Sequence, residues 1–220
     1  MLRSWPSPCG GEEYAVEFNH QRGPCLLVLP AWFDESNKLR HFTVEVMRAL
    51  DAQGVDSVLP DLPGCNESLE PLDQQDLHSW RDAAAQAAQA LACTHVLAIR
   101  AAATIAPPLP GWSYAPVAAT SALRALLRGR VIASKETGRV EKREELLETG
   151  LAQGLDLAGY RLGPAMIAQM AEADLPERAD VEEIRQAELG GAGLWLRSEP
   201  DHDQQQAEAL AARIAAGLRA

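Results

Sequence analysis

His95-Val-Leu-Ala-Ile-Arg100-Ala-Ala-Ala-Thr104 is the stretch on which the fold turns. Its first half is a short apolar run of strand length, and it ends abruptly in small residues. That pattern predicts a strand that runs straight into a sharp turn and a helix, with the side chain at the apex exposed above a parallel sheet. Turns that present a nucleophile in this way carry small residues two positions to either side of the apex. Ala98 and Ala102 fill those flanking positions here, and Arg100 fills the apex. A guanidinium stays protonated at any useful pH and cannot attack a carbonyl.

The flanking segments supply the sheet that such a turn requires. Tyr14–Asn19 alternates as an edge strand does, behind a loose start containing Pro and Gly, and Cys25–Leu29 has the continuous apolar character of a strand buried on both faces. Pro30 stops it, and a loop from Ala31 to Asn37 follows. A helix is expected from about Asn37 to Gln53, with Leu39, Phe42, Val46, Ala49 and Leu50 on one face and Gly54 as its stop. Val55–Pro60 is the next strand, Asp61–Ser68 a turn-rich loop, and Asp76–Ala92 a second amphipathic helix. Strand, helix, strand, helix, strand with short links predicts right-handed crossovers onto a parallel sheet, hence a doubly wound α/β class.

Beyond the elbow, Pro107 and Pro108 cut the expected helix very short. Gly111–Pro116 resumes as a strand, and residues 118 to 175 form a mostly helical insertion with a short extended piece at Gly154–Tyr160. Placed between late strands, such an insertion would lie over the strand ends as a cap. Val181–Leu189 fits a strand or a helix, Gly193–Arg197 is expected as the last strand, and Gln204–Ala220 as the closing helix. The organisation expected is one domain over 1–220, with a core of about 12–117 and 176–220 and a cap of about 118–175.

Composition narrows the class of partner. A 220-residue chain with 47% apolar and 23% charged residues can bury a sizeable core. A net charge of −11 and a pI near 4.9 argue against nucleic acid or an anionic membrane as the main partner, since both need basic patches. The basic residues between Arg124 and Arg143 are interleaved with acids from Glu136 onward and are taken as a solvated helical surface. No apolar run reaches the ~20 residues of a membrane span, and the start lacks a basic region followed by an apolar core, so a cytoplasmic protein without a membrane span is expected. The four cysteines show neither CxxC spacing nor a histidine pair at zinc-ligand distance, so no metal or other cofactor is expected.

Ligands of a doubly wound sheet bind at the C-terminal ends of its strands. The loops that converge there carry Asp34, Glu35, Asp61, Cys65, Ser68, Arg100, Glu199, Asp201 and His202. His202 follows the expected last strand, where folds of this kind place a general base. Cys65 is a candidate nucleophile, because a thiolate near Arg100 would have a lowered pKa. Arg100 admits two roles. It could form a partly buried ion pair with Asp34, Glu35 or Glu199, or it could clamp a carboxylate or phosphate of a ligand.

Several longer motifs carry a family resemblance. Pro30–Arg40, Asp61-Leu-Pro-Gly-Cys-Asn-Glu-Ser68, Trp80, Ala115–Val117, Leu157-Ala-Gly-Tyr160 and Leu162-Gly-Pro164 resemble, in the same order, segments of the exosortase A system-associated hydrolase 2 family of the α/β-hydrolase superfamily. That family also places arginine at the elbow, flanked by the glycines that Ala98 and Ala102 replace here. The resemblance implies an α/β-hydrolase fold with a helical cap, and a bacterial setting in exopolysaccharide production and protein export. Two functions follow as expectations. One is a hydrolase-like protein without a serine nucleophile, weak or inert, that binds an anionic or acyl ligand, or a protein partner of the export system, through Arg100, Asp34, Glu35, Asp61 and Glu199. The other is an ester or thioester hydrolase that uses His202 with Cys65 or a water.

Overall fold

The computed structural model describes residues 1–219. Its centre is a seven-stranded sheet in the order β1-β2-β4-β3-β5-β6-β9. The strands are β1 (Leu2–Pro6), β2 (Glu12–Phe18), β3 (Cys25–Leu29), β4 (Asp56–Pro60), β5 (His95–Ile99), β6 (Gly111–Tyr114) and β9 (Val181–Ile184). Strands β4, β3, β5, β6 and β9 run parallel, and β1 and β2 close one side as an antiparallel pair. This is the α/β, doubly wound, mostly parallel arrangement expected from the sequence.

Alternation within the central strands divides the core into two layers. Leu27, Leu29, Val96 and Ala98 face one side, with α2 (Leu77–Ala90). Leu26, Val28, Leu97 and Ile99 face the other, with α1 (Phe33–Ala52) and α7 (Gln204–Gly217). The chain moves to one side after β3 and to the other after β5. The loops after these two adjacent strands therefore flank the switch point of the sheet, the crevice where such folds bind ligands.

Between β6 and β9 lie α3 (Ala119–Glu136), α4 (Arg143–Gln153), a hairpin of β7 (Leu155–Leu157) and β8 (Tyr160–Leu162), and α5 (Pro164–Glu172). The extended piece expected near Gly154–Tyr160 is this hairpin. It docks where Gly163 passes the core: a Cβ there would lie 2.0 Å from the Asp73 carbonyl oxygen. At α2, Asp76 caps the N-terminus by accepting from the Ser79 N–H at 2.8 Å, and it also accepts from Gln169 of α5 at 3.0 Å. One carboxylate thus ends a core helix and holds a helix of the insertion.

Three expectations are corrected. The N-terminal residues form β1, so the strand at Tyr14 lies second in the sheet and not at its edge. Helix α1 starts at Phe33 rather than near Asn37, which puts Asp34 and Glu35 in its first turn, where acids complement the helix dipole. Gly193–Arg197 is not a strand: Leu194–Leu196 is a 3-10 turn, and the last strand is β9. A short Gly-Leu-Trp-Leu run has no periodicity long enough to separate these states. In the closing helix, position 220 lies outside the described residues.

Candidate functional site

Arg100 keeps the backbone of an elbow apex, with a φ of 59°. The segment after it is a 3-10 helix, Arg100–Thr104, ended before Pro107 and Pro108. Its guanidinium is buried and fully engaged on one edge. Nε and Nη2 donate to the two carboxylate oxygens of Glu35, each at 3.0 Å, and Nη1 donates to the carbonyl of Ala115 at 2.7 Å. The Trp195 ring covers its flat face, 3.9 Å from the guanidinium carbon. A bidentate pair of this kind is the strong form of a charge-assisted bond, and burial makes each partner depend on the other.

The loops at the switch point supply each of these contacts. Glu35 follows β3 in the first turn of α1, Ala115 follows β6, and Trp195 comes from the 3-10 turn after β9. Sequence alone supplied neither the Ala115 carbonyl nor Trp195. For Trp195 the signal is Gly193, where a Cβ would come within 2.6 Å of the indole, so only glycine lets the ring fold back.

Above the pair is a cleft of about 790 Å³. Its floor is Trp32, Phe33 and Arg100, and its roof is α3 together with Ala158 and Gly159 of the β7–β8 turn. The walls are mostly apolar, and cations and carboxylates nearly balance along them. Trp32 is buried, and its indole N–H lacks a hydrogen-bond partner. The insertion is latched over the floor by Tyr160, whose hydroxyl accepts from Asn37 at 2.8 Å and donates to the Phe33 carbonyl at 3.2 Å. Its ring packs edge-on against Phe33, which in turn leans on Trp80.

The other candidates are placed elsewhere. Asp34 pairs with Lys38 at 2.8 Å. Glu199 is exposed and in no ion pair among the described residues. Asp61 is buried, accepts from Asn66 at 2.7 Å, and has Arg40 at 4.0 Å. Burial, the largest influence, raises the pKa of its carboxyl.

Cys65 sits in the turn beside Asp61. Burial, reinforced by Asp61 and Glu13, pushes its thiol up to about 12. The expected thiolate lowered by Arg100 is thereby corrected, because the charges that act on Cys65 are carboxylates, which oppose ionisation. Ser68 donates to Glu13 at 2.9 Å and accepts from the Gly64 N–H.

His202 is exposed and stacks on His41 of α1, with ring centroids 4.3 Å apart. Its backbone N–H donates to Asp201, which pairs with Arg197. Its ring makes no hydrogen bond among the described residues and does not line the cleft. The expectation placed it directly after a final strand; in fact α6 (Gln186–Leu189) and the 3-10 turn intervene and lead the chain to the outer surface of α1.

No family model and no curated protein sequence matches the chain. Solved structures do. Alpha/beta hydrolase domain-containing protein 10 from mouse superposes with a TM-score of 0.58 at 12% identity, covering 100% of this chain and 98% of that one. A putative hydrolase from Agrobacterium vitis S4 gives a TM-score of 0.50 at 15% identity, covering 100% of this chain and 97% of that one. At such identities the likeness shows the fold alone. Together with the parallel sheet, the elbow and the roofed crevice, it shows that this chain has the α/β-hydrolase fold.

Proposed function

We propose that this chain is a hydrolase-fold binding protein, without serine-type acyl transfer, whose elbow cleft takes a small ligand with an acyl body and an oxygen-bearing head. The observation that carries this is the occupied apex: a strained elbow residue locked to Glu35, Ala115 and Trp195 on the floor of a largely apolar cleft. An acyl chain suits the apolar walls, and a carboxylate or carbonyl oxygen suits the cations Lys38, Arg128 and Arg130 that line the same cleft. Because Glu35 neutralises Arg100, the head need carry little charge. The hydrolytic alternative, His202 with Cys65 or a water, draws no support from a thiol held protonated and a histidine stacked on His41. The resemblance to the exosortase A system-associated hydrolase 2 family supports a setting beside bacterial exopolysaccharide export, with a protein of that system as a further partner.

Thermal shift with dodecanoate tests the reading. The expected result is a rise in Tm of about 5 °C at saturating ligand, lost when Ala122→Trp fills the roof of the cleft. No rise, or an equal rise in A122W, overturns it.

A further inference from the structure

The insertion carries a second concavity, a groove of about 750 Å³ that meets the elbow cleft at Ala125 and Arg128. One wall is α3, which contributes Arg124, Arg128 and Lys135; the other is the start of α4 with Lys142 and Arg143, and Glu141 and Glu144 line it too, so five cations face two carboxylates. Residues 119–143 hold seven basic side chains against two acidic, within a chain whose net charge is −11. Lys142 and Arg143 are paired with Glu145 and Glu144. Arg124, Arg128 and Lys135 have no ion-pair partner among the described residues, and helical spacing puts all three on one stripe about 16 Å long.

We propose that this groove is a binding site for a small organic polyanion, one that carries phosphate or carboxylate groups along its length. The volume is that of a small-ligand site. Val131 and Val140 give it apolar ground between the charges. Range of interaction separates a small ligand from a macromolecular surface. An anion inside the groove sits within the Debye length of about 8 Å from the unpaired cations, whereas an extended anionic surface also meets the repulsion of a molecule that is acidic overall. The groove and the elbow cleft share α3 as a wall, but this site stands whether or not the cleft binds an acyl ligand.

The test is calorimetric titration of the full chain with tripolyphosphate, beside co-sedimentation with phosphatidylglycerol–phosphatidylcholine vesicles. The wild type is expected to bind tripolyphosphate saturably, and Arg124→Glu with Lys135→Glu is expected to weaken binding by at least about tenfold. Both side chains are on the surface and unpaired. Arg3→Glu with Arg185→Glu makes the same change in net charge at the two edges of the sheet and is expected to leave the affinity within about twofold. Absence of saturable binding, or equal weakening in the edge variant, overturns the site. Vesicle binding that R124E/K135E abolishes, without tripolyphosphate binding, would assign the face to a membrane surface and overturn the small-ligand proposal.

Discussion

The backbone of Arg100 is held at a φ of 59°, a conformation that costs a side-chain-bearing residue about 1 kcal/mol, and three neighbours fix the guanidinium once it is there. Removing one member of the pair leaves the other as an uncompensated charge. Glu35→Ala is therefore expected to destabilise by about 2 kcal/mol, below the full cost for a buried pair because Glu35 is a quarter exposed, and to lower Tm by about 5 °C in a melting experiment. Glu35→Leu with Arg100→Met should recover most of that loss, since an apolar pair carries no desolvation cost. Glu13 behaves in the opposite way. It is 1% exposed, only one of its oxygens is bonded, and burial raises its pKa. The protonated form is thus the one the fold accepts, so its contribution is present at acid pH and is lost as pH rises through the raised pKa. Glu13→Gln keeps an acceptor for Ser68 and removes the charge. It is expected to stabilise by about 1 kcal/mol at pH 7 and to have no effect near pH 4, as denaturant melts at both pH values would show.

Among the elements, the insertion depends on a few tight contacts with the core. Gly163→Ala would drive a methyl into the Asp73 carbonyl at the point where the hairpin docks, so the clash falls on the insertion and not on the sheet. Hydrogen exchange should report faster opening of β7, β8 and α5, with β3 and β5 unchanged, and a cost of about 2 kcal/mol. The strands that carry the switch point were legible from the chain because Cys25–Leu29 and His95–Ile99 are short, largely apolar runs bounded by clear stops. The start of α1 was not, since Trp32 has no capping side-chain bond and nothing local marks Phe33 as helical. β9 was ambiguous for a related reason: it is short, and its Glu182 and Glu183 are exposed, so its place is decided by pairing with β6 and not by its own pattern.

Across the whole molecule, Arg100 holds the apex of the turn while Cys65 and His202 lie outside the cleft above it. Arg100→Ser would put a hydroxyl at the apex, yet the histidine expected to activate it stacks on His41 at the outer surface of α1. Activity profiling with a fluorophosphonate is accordingly expected to label neither the wild type nor R100S above background. Rapid, saturable labelling of R100S would show a base within reach of the apex. The doubly wound sheet, the strand that ends at Arg100 and the mostly helical stretch between late strands were readable along the chain. These rest on period, chain order and breakers, which are properties of neighbouring residues. What needed the folded chain is that Glu35 is the partner of Arg100, that Trp195 covers it, that Cys65 lies among carboxylates, and that five of the seven bases of residues 119–143 line one groove. Electrostatic partnership and burial depend on distance in space. Residues 35, 100, 115 and 195 become neighbours only when the loops after four different strands meet at one end of the sheet.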